Sequence, residues 1–138
     1  MTTKTPEQFN SLGGGHLPGL LGVEILSAGE AGVDSRLLVR REVMAPNGFL
    51  HAATIIALAD TSCGYGCVAS LPQGASGFTT IELKANFLGT AREGVIRCRA
   101  TPVHLGRTTQ VWDAVVSAED SEKKIALFRC TQAVLWPR

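Results

Sequence analysis

Apolar residues follow two different patterns along this chain. Residues 52–70 are apolar or small at nearly every position, and the only formal charge among them is Asp60. A segment that is apolar on all sides is typical of a buried helix. From residue 80 the period changes to two, because residues 81, 83, 85 and 87 are apolar and their neighbours are polar. This alternation predicts a strand with one buried face. The same behaviour recurs in residues 95–104, 108–118 and 124–135.

Turn residues divide the rest of the chain into short elements. The predicted boundaries are a glycine turn at residues 29–32 between strands 22–28 and 33–41, a turn at residues 46–48 before the helix, and a stop at residues 72–74 after it. The first twenty residues form an N-terminal extension, with a short helix at residues 6–12 and a flexible glycine loop at 13–19.

The order of these elements predicts one domain spanning residues 1–138. Two strands precede the helix and four follow it, with short links that favour an antiparallel sheet. A sheet with one apolar face buries an apolar helix by curling around it. We therefore predict an α+β fold, in which about six antiparallel strands wrap one long helix.

Charge and cysteine usage exclude several classes of function. The chain has 138 residues with 13 Lys and Arg against 12 Asp and Glu, and a net charge of +1 gives no general attraction to nucleic acid or an anionic membrane. The first ten residues lack the apolar run of a secretory signal, and Asp60 interrupts the best membrane-spanning candidate. We expect a cytoplasmic protein whose four cysteines are reduced, without a nucleic-acid or membrane partner.

The carboxylate in the apolar helix is the first candidate for chemistry, because burying a charge is costly unless it is compensated. Its surroundings, residues 47–61, read NGFLHAATIIALADT. This sequence motif and the element order resemble those of the hotdog-fold acyl-CoA thioesterases of the phenylacetate-degradation type. The resemblance extends from about residue 22 to residue 135, and includes the stretch TTIELKANFLGTA at residues 79–91. It implies a hotdog fold and hydrolysis of an acyl-CoA to a free acid and coenzyme A.

The resemblance also implies roles for single residues. Asp60 lies in the family's Leu-Ala-Asp triplet and would be the general base or the nucleophile, and the backbone N–H of Ala52 would bind the oxyanion. His51 would orient the loop or contact the substrate. The family's hydroxyl on the third strand maps to Thr80, although the alternation places Thr80 on the polar face and leaves Thr79 open.

Three positions depart from the family pattern. Ala52 and Ala53 stand where the family has glycines, which leaves less room at the helix start. Ala45 stands where many relatives have a polar loop residue, and Asn47 is the nearest residue that can replace it.

A second motif concerns the coenzyme A part of the substrate. Residues 104–108, His-Leu-Gly-Arg-Thr, are similar to the family's turn that touches coenzyme A. The resemblance therefore implies that Gly106, Arg107 and Thr108 contact it, and a guanidinium suits phosphate by forked hydrogen bonding. Lys84, Arg92 and Arg138 are weaker candidates. No metal or redox cofactor is expected.

Spacing along the helix bears on the oligomeric state. Eight residues separate Ala52 from Asp60, which is about 12 Å along one helix. A reacting carbonyl must lie about 3 Å from both groups, so one helix does not supply both. We expect a homodimer in which Asp60 of one subunit faces Ala52 of the other, as the resemblance also implies, together with further pairing into a homotetramer.

Several alternatives stay open at this point. The function alternatives are a non-catalytic acyl-CoA-binding hotdog module and a hotdog dehydratase acting on hydroxyacyl thioesters. Cys63 and Cys67 share a helix face, so they are packing thiols or part of a metal site. Gly64 allows close packing or clears space for the acyl group. Tyr65, Leu50 and Phe78 are candidates to line the pocket for an aryl or medium aliphatic chain.

Overall fold

The computed structural model describes residues 4–138 and contains one six-stranded sheet and three α-helices. The strands are β1 (Glu24–Gly29), β2 (Gly32–Leu38), β3 (Gly77–Phe87), β4 (Val95–Leu105), β5 (Thr109–Ala118) and β6 (Lys124–Leu135). The helices are α1 (Pro6–Gly13), α2 (Leu17–Leu21) and α3 (Ala52–Ala69), with a short 3-10 helix at Arg41–Val43. Every strand pairing is antiparallel, in the order β1-β2-β4-β5-β6-β3. The predicted α+β architecture is confirmed.

Helix α3 supplies the centre of the hydrophobic core. Leu58, Ala59 and Cys63 are fully buried against the sheet, and the indole of Trp112 from β5 is buried with them. Gly66 lies so close to that indole that a Cβ there would be 2.5 Å from the ring. By length and mean hydropathy α3 could also span a membrane, but half of it is buried inside this fold.

Residues 4–138 leave the opposite side of α3 partly open to solvent. Ile56, Ala57, Asp60 and Thr61 are all partly exposed there. A helix that is apolar on all sides and covered on only one keeps a second apolar face available for packing.

The N-terminal segment is part of the fold. Thr5 and Gln8 form a reciprocal capping box at the start of α1, and Phe9 is fully buried. The Asn10 side chain exchanges two hydrogen bonds with the backbone of Ile25, which ties α1 to β1. The loop predicted at residues 13–19 is confined to residues 14–16, because α1 extends to Gly13, α2 begins at Leu17 and a left-handed Gly22 ends α2. The first three residues of the predicted extension lie outside the described residues.

A β-bulge in β3 changes which residues face the helix. Thr80 pairs with Gln132 and Glu82 pairs with Thr131, so Ile81 has no partner and the alternation shifts there. Directly opposed residues share a face, and Gln132 is fully buried. Thr80 therefore lies on the helix side of the sheet, and the polar-face placement predicted from the alternation is wrong.

The Gly66 contact gives a test of the core. We expect Gly66→Ala to lower the free energy of unfolding by about 1–3 kcal/mol, the usual cost of overpacking, because the new methyl would overlap the buried indole of Trp112. Gly29→Ala is the matched control, since a Cβ at Gly29 meets open space. Urea unfolding curves measure both variants. Equal stabilities would contradict the close helix-sheet contact.

Candidate active site

The turn before α3 is a small closed loop. Met44 and Leu50 form an isolated antiparallel bridge, and Gly48, with a φ of 88°, makes the reversal between them. The Asn47 side-chain oxygen accepts a hydrogen bond from the Phe49 N–H at 3.2 Å. Asn47 thus stabilises the turn through the oxygen that would otherwise be free for a substrate. The turn predicted at residues 46–48 is confirmed, while a role of Asn47 in catalysis stays a prediction.

His51 is the N-cap residue of α3. Its Nδ1 accepts a hydrogen bond from the Ala53 N–H at 3.0 Å, and its carbonyl accepts from Thr54 and Ile55. This bond occupies the Nδ1 side of the ring. The structure shows this orienting bond at the helix start, and contact of His51 with a substrate stays a prediction.

This cap leaves one N–H of the first turn available. Ala52 is exposed, and its N–H has no hydrogen-bond acceptor within residues 4–138. The N–H groups at a helix start lack intrahelical partners and lie at the positive end of the helix dipole. A thioester oxyanion placed beside Ala52 would therefore accept a hydrogen bond from this N–H without any existing hydrogen bond being broken.

Asp60 lies eight residues further along the same helix. Its side chain is partly exposed, yet Oδ1 is shielded from solvent and has no hydrogen-bond partner in the described chain. Burial raises the pKa of this carboxyl above its usual value, because desolvation disfavours the charged form. Since α3 is continuous from Ala52 to Ala69, Asp60 and the Ala52 N–H remain about 12 Å apart within one chain.

An apolar cavity of about 460 Å³ opens beside the helix start. Its lining residues are Phe49, Leu50, Ala52, Ile55, Phe87, Leu88, Gly89 and Thr90. Of the three residues predicted to line the acyl pocket, Leu50 lines this cavity, and Tyr65 and Phe78 do not. The Tyr65 ring stacks on Phe9 at 4.7 Å, and Phe78 lies against Gly64, where a Cβ would be 3.0 Å from the ring. Gly64 therefore serves close packing.

The β4–β5 turn is closely packed and carries a stacked arginine. A Cβ at Gly106 would be 2.5 Å from His104 Nε2, so no other residue fits this turn without a shift. The Arg107 guanidinium lies 4.1 Å from the ring centre of Trp136, whose Nε1 donates to the Arg107 carbonyl at 3.1 Å. The Thr108 carbonyl accepts from Val134 in β6. Arg107 is thus held at the surface, and its guanidinium makes no hydrogen bond to any residue among 4–138.

The cysteines are buried thiols. All four are free, and burial raises the pKa of Cys67 and of Cys98 to about 12. Such thiols are protonated at neutral pH and are poor nucleophiles and metal ligands. Within residues 4–138 no three His, Cys, Asp or Glu side chains are grouped to hold a metal ion.

The raised pKa of Asp60 has a measurable consequence for stability. The folded state binds this proton more tightly than the unfolded chain does. The carboxyl therefore has no effect on the free energy of unfolding below about pH 4, and it lowers that free energy as the pH rises through the folded-state pKa. We expect Asp60→Asn to raise the free energy of unfolding at pH 8 and to make no difference at low pH. Asp120→Asn, at an exposed turn, is the control. A variant less stable than wild type at pH 8 would contradict the unpaired carboxylate.

Comparison with known proteins places this arrangement in a family. The thioesterase superfamily profile matches residues 47–125, which include most of the helix-start turn, α3 and strands β3, β4 and β5. A 1,4-dihydroxy-2-naphthoyl-CoA hydrolase from Listeria monocytogenes is 31% identical over 83% of this chain and 91% of its own length. The enzyme of the same name from Escherichia coli is 29% identical over 95% of each chain.

Solved structures give the same result for the fold. A thioesterase from Haemophilus influenzae is 32% identical and superposes with a TM-score of 0.90 over 97% of this chain and 92% of its own. A mutant thioesterase from Pseudomonas aeruginosa, 28% identical, also gives 0.90 over 97% of this chain and 96% of its own. With a sheet curled around α3 and a carboxylate on that helix, the chain belongs to the thioesterase superfamily and is a thioester hydrolase of the hotdog fold.

Proposed function

We propose that this protein hydrolyses an aryl- or medium-chain acyl-CoA to the free acid and coenzyme A, with Asp60 as general base or nucleophile. The observation that carries the proposal is the shielded, unpartnered Oδ1 of Asp60 on the uncovered side of α3. A carboxyl kept in such a place lowers the stability of the fold when it ionises. Perturbed carboxyls of this kind are typical of functional sites.

The chemistry follows from two groups. Asp60 takes a proton from a water molecule, whose oxygen attacks the thioester carbonyl, while the Ala52 N–H donates to the oxygen that becomes negative. Collapse of the tetrahedral intermediate breaks the carbon–sulfur bond, and the thiolate of coenzyme A leaves and is protonated. In the other route the Asp60 carboxylate attacks directly, and water then hydrolyses the mixed anhydride.

Both routes require two subunits, because Asp60 and the Ala52 N–H of one helix are about 12 Å apart. We propose a symmetric homodimer in which the uncovered faces of two α3 helices pack together in opposite directions, which forms two equal sites. Edge strand β3 supports this arrangement, since Ile81 and Phe87 are large apolar residues at 60% and 45% exposure. Further pairing into a homotetramer belongs to the same proposal.

The coenzyme A end is assigned to the β4–β5 turn. Three basic residues, Arg107, Arg138 and His104, lie on two segments, residues 101–112 and 131–138. These segments contain no Asp or Glu, and the nearest acidic residue after the first segment is Asp113 in the middle of β5. Arg107 stacked on Trp136 offers a fixed guanidinium to the phosphates. Gly106 and Thr108 shape the turn around it.

An aromatic acyl group is favoured by the relatives. Two of them are named as hydrolases of 1,4-dihydroxy-2-naphthoyl-CoA, an aryl thioester. The apolar cavity beside Ala52 suits such a group or a medium aliphatic chain. Fold alone does not fix the substrate, so a panel of aryl and straight-chain thioesters, assayed by free thiol release, is the deciding measurement.

Removal of the carboxylate tests the catalytic assignment. We expect Asp60→Asn and Asp60→Ala to remain folded and to lose on the order of 100-fold or more in kcat/KM, as on losing a general base. The wild-type kcat/KM should fall as the pH is lowered. The midpoint of this fall should lie above the usual pKa of an aspartate, because burial raises the pKa of Asp60. Full activity in Asp60→Ala would refute the mechanism.

Binding of acyl-CoA without turnover by wild type would favour the non-catalytic module instead, and hydration or dehydration of a crotonyl or hydroxyacyl thioester would favour the dehydratase.

Mixed dimers test the shared site. Ala52→Pro removes only the N–H, since proline is well tolerated at the first helical position and His51 already has an extended ψ of 133°. We expect Asp60→Ala and Ala52→Pro each to be inactive. Refolded as an equal mixture, they should regain about a quarter of wild-type activity, because half of the dimers are mixed and each has one intact site. No recovery, or an active species with the mass of one chain, would refute a shared site.

Arg107 is tested with two thiol parts. We expect Arg107→Ala to raise KM about tenfold for an acyl-CoA, the cost of a lost charge-assisted contact of about 1.4 kcal/mol. The same variant should leave KM unchanged for the matching pantetheine thioester, which lacks the nucleotide. Arg41→Ala, at an exposed arginine in the 3-10 helix, is the control. An equal rise with both substrates would contradict the assignment.

A further inference from the structure

Two loops that are distant in the sequence are tied together beside Ala52. The Leu50 N–H in the helix-start turn donates to Thr90 Oγ1 at 2.9 Å. Arg92 Nη1 donates to the Gly48 carbonyl at 2.8 Å. The β3–β4 connection therefore holds the turn from two side chains, and neither bond is a regular sheet or helix bond.

Arg92 also covers an aromatic ring. Its guanidinium carbon lies 4.9 Å from the centre of the Phe49 ring, within the range of a cation–π contact. Phe49 is 47% exposed even with the guanidinium over its ring. Gly48 makes the approach possible, because a Cβ there would be 3.3 Å from Arg92 Nη1 and the residue has a positive φ.

The ring that Arg92 holds is a wall of the cavity beside the helix start. That cavity of about 460 Å³ has no charged side chain in its lining. Of the two arms of a thioester whose oxygen is bound at the Ala52 N–H, the acyl arm suits this lining better. The thiol arm of coenzyme A carries amide groups that lose hydrogen bonds in an apolar cavity.

We propose that Arg92 is a positioning residue that sets acyl selectivity: by holding Phe49 and the Gly48 carbonyl, it fixes the outer wall of the acyl cavity. Thr90 fixes the inner end of the same wall through Leu50. Arg92 touches no reacting atom, and its effect passes through Phe49. This inference rests on the proposed thioesterase function, which it deepens by naming the residue that limits the size of the acyl group.

A purely structural Arg92 would behave differently. If it only stabilised the fold, its loss would lower the amount of folded protein and reduce kcat/KM by one common factor for all substrates. If it fixes the wall, its loss releases Phe49 and changes the ratio of kcat/KM between large and small acyl groups. The ratio is therefore the informative quantity.

The experiment uses the full chain and straight-chain acyl-CoA thioesters of increasing length, together with one aryl thioester. We expect Arg92→Ala to change the ratio of kcat/KM between the longest and shortest acyl groups by about tenfold in favour of the longest, the scale of discrimination in an apolar pocket. Arg92→Lys keeps a cation and a donor and should retain most of the wild-type ratio. Phe49→Leu removes the ring itself and should shift the ratio in the same direction as Arg92→Ala.

Arg41→Ala is the matched control, because Arg41 is an exposed arginine with no hydrogen bond to another side chain within residues 4–138. It should leave the ratio unchanged. If Arg92→Ala does not fold, Phe49→Leu decides the question, since it leaves both hydrogen bonds of the turn in place. A ratio unaltered in the folded variants overturns the role of Arg92 while hydrolysis by wild type still supports the proposed function. A wild type that hydrolyses none of the thioesters refutes the proposed function instead.

Discussion

The packing of α3 into the curled sheet is the constraint on which the rest of the structure depends. Gly66 lets the helix approach the buried indole of Trp112, and Leu58, Ala59 and Cys63 fill the space around that contact. This approach fixes both the depth and the rotation of the helix. Because the sheet closes over only one side, Asp60 is held at the boundary between the core and an uncovered apolar face. Its shielded oxygen is a consequence of where the helix must lie.

The same helix separates the two groups that we propose for thioester hydrolysis. The Ala52 N–H is available because it stands at the helix start, and the carboxylate is perturbed because it stands in the helix middle. One group must lie at the helix start and the other in the helix middle, so one helix does not bring them together. In the proposed dimer, a second copy of the helix running in the opposite direction would remove the conflict, and the exposed apolar residues on β3 fit an interface of that kind.

The helix start is supported from several directions. His51 caps α3 from its own side chain, Asn47 closes the preceding turn, and Thr90 and Arg92 reach the turn from the β3–β4 connection. In this chain two alanines follow His51, and Ala45, before the turn, has no polar side chain. Rigidity at this point therefore comes from side chains outside the turn as well as within it.

The sequence by itself determined the element order, the buried helix and Asp60 as its single charge, because periodicity and charge are local properties of the chain. Only the tertiary structure decided the side of the sheet on which Thr80 lies, since a bulge at Ile81 shifts the alternation and the strand pairing must be known to detect it. It also decided that Tyr65 stacks on Phe9, that Phe78 packs against Gly64, and that residues 13–19 include a helix. The contact of Arg92 with Phe49 joins residues more than forty positions apart, and no local pattern encodes such a contact.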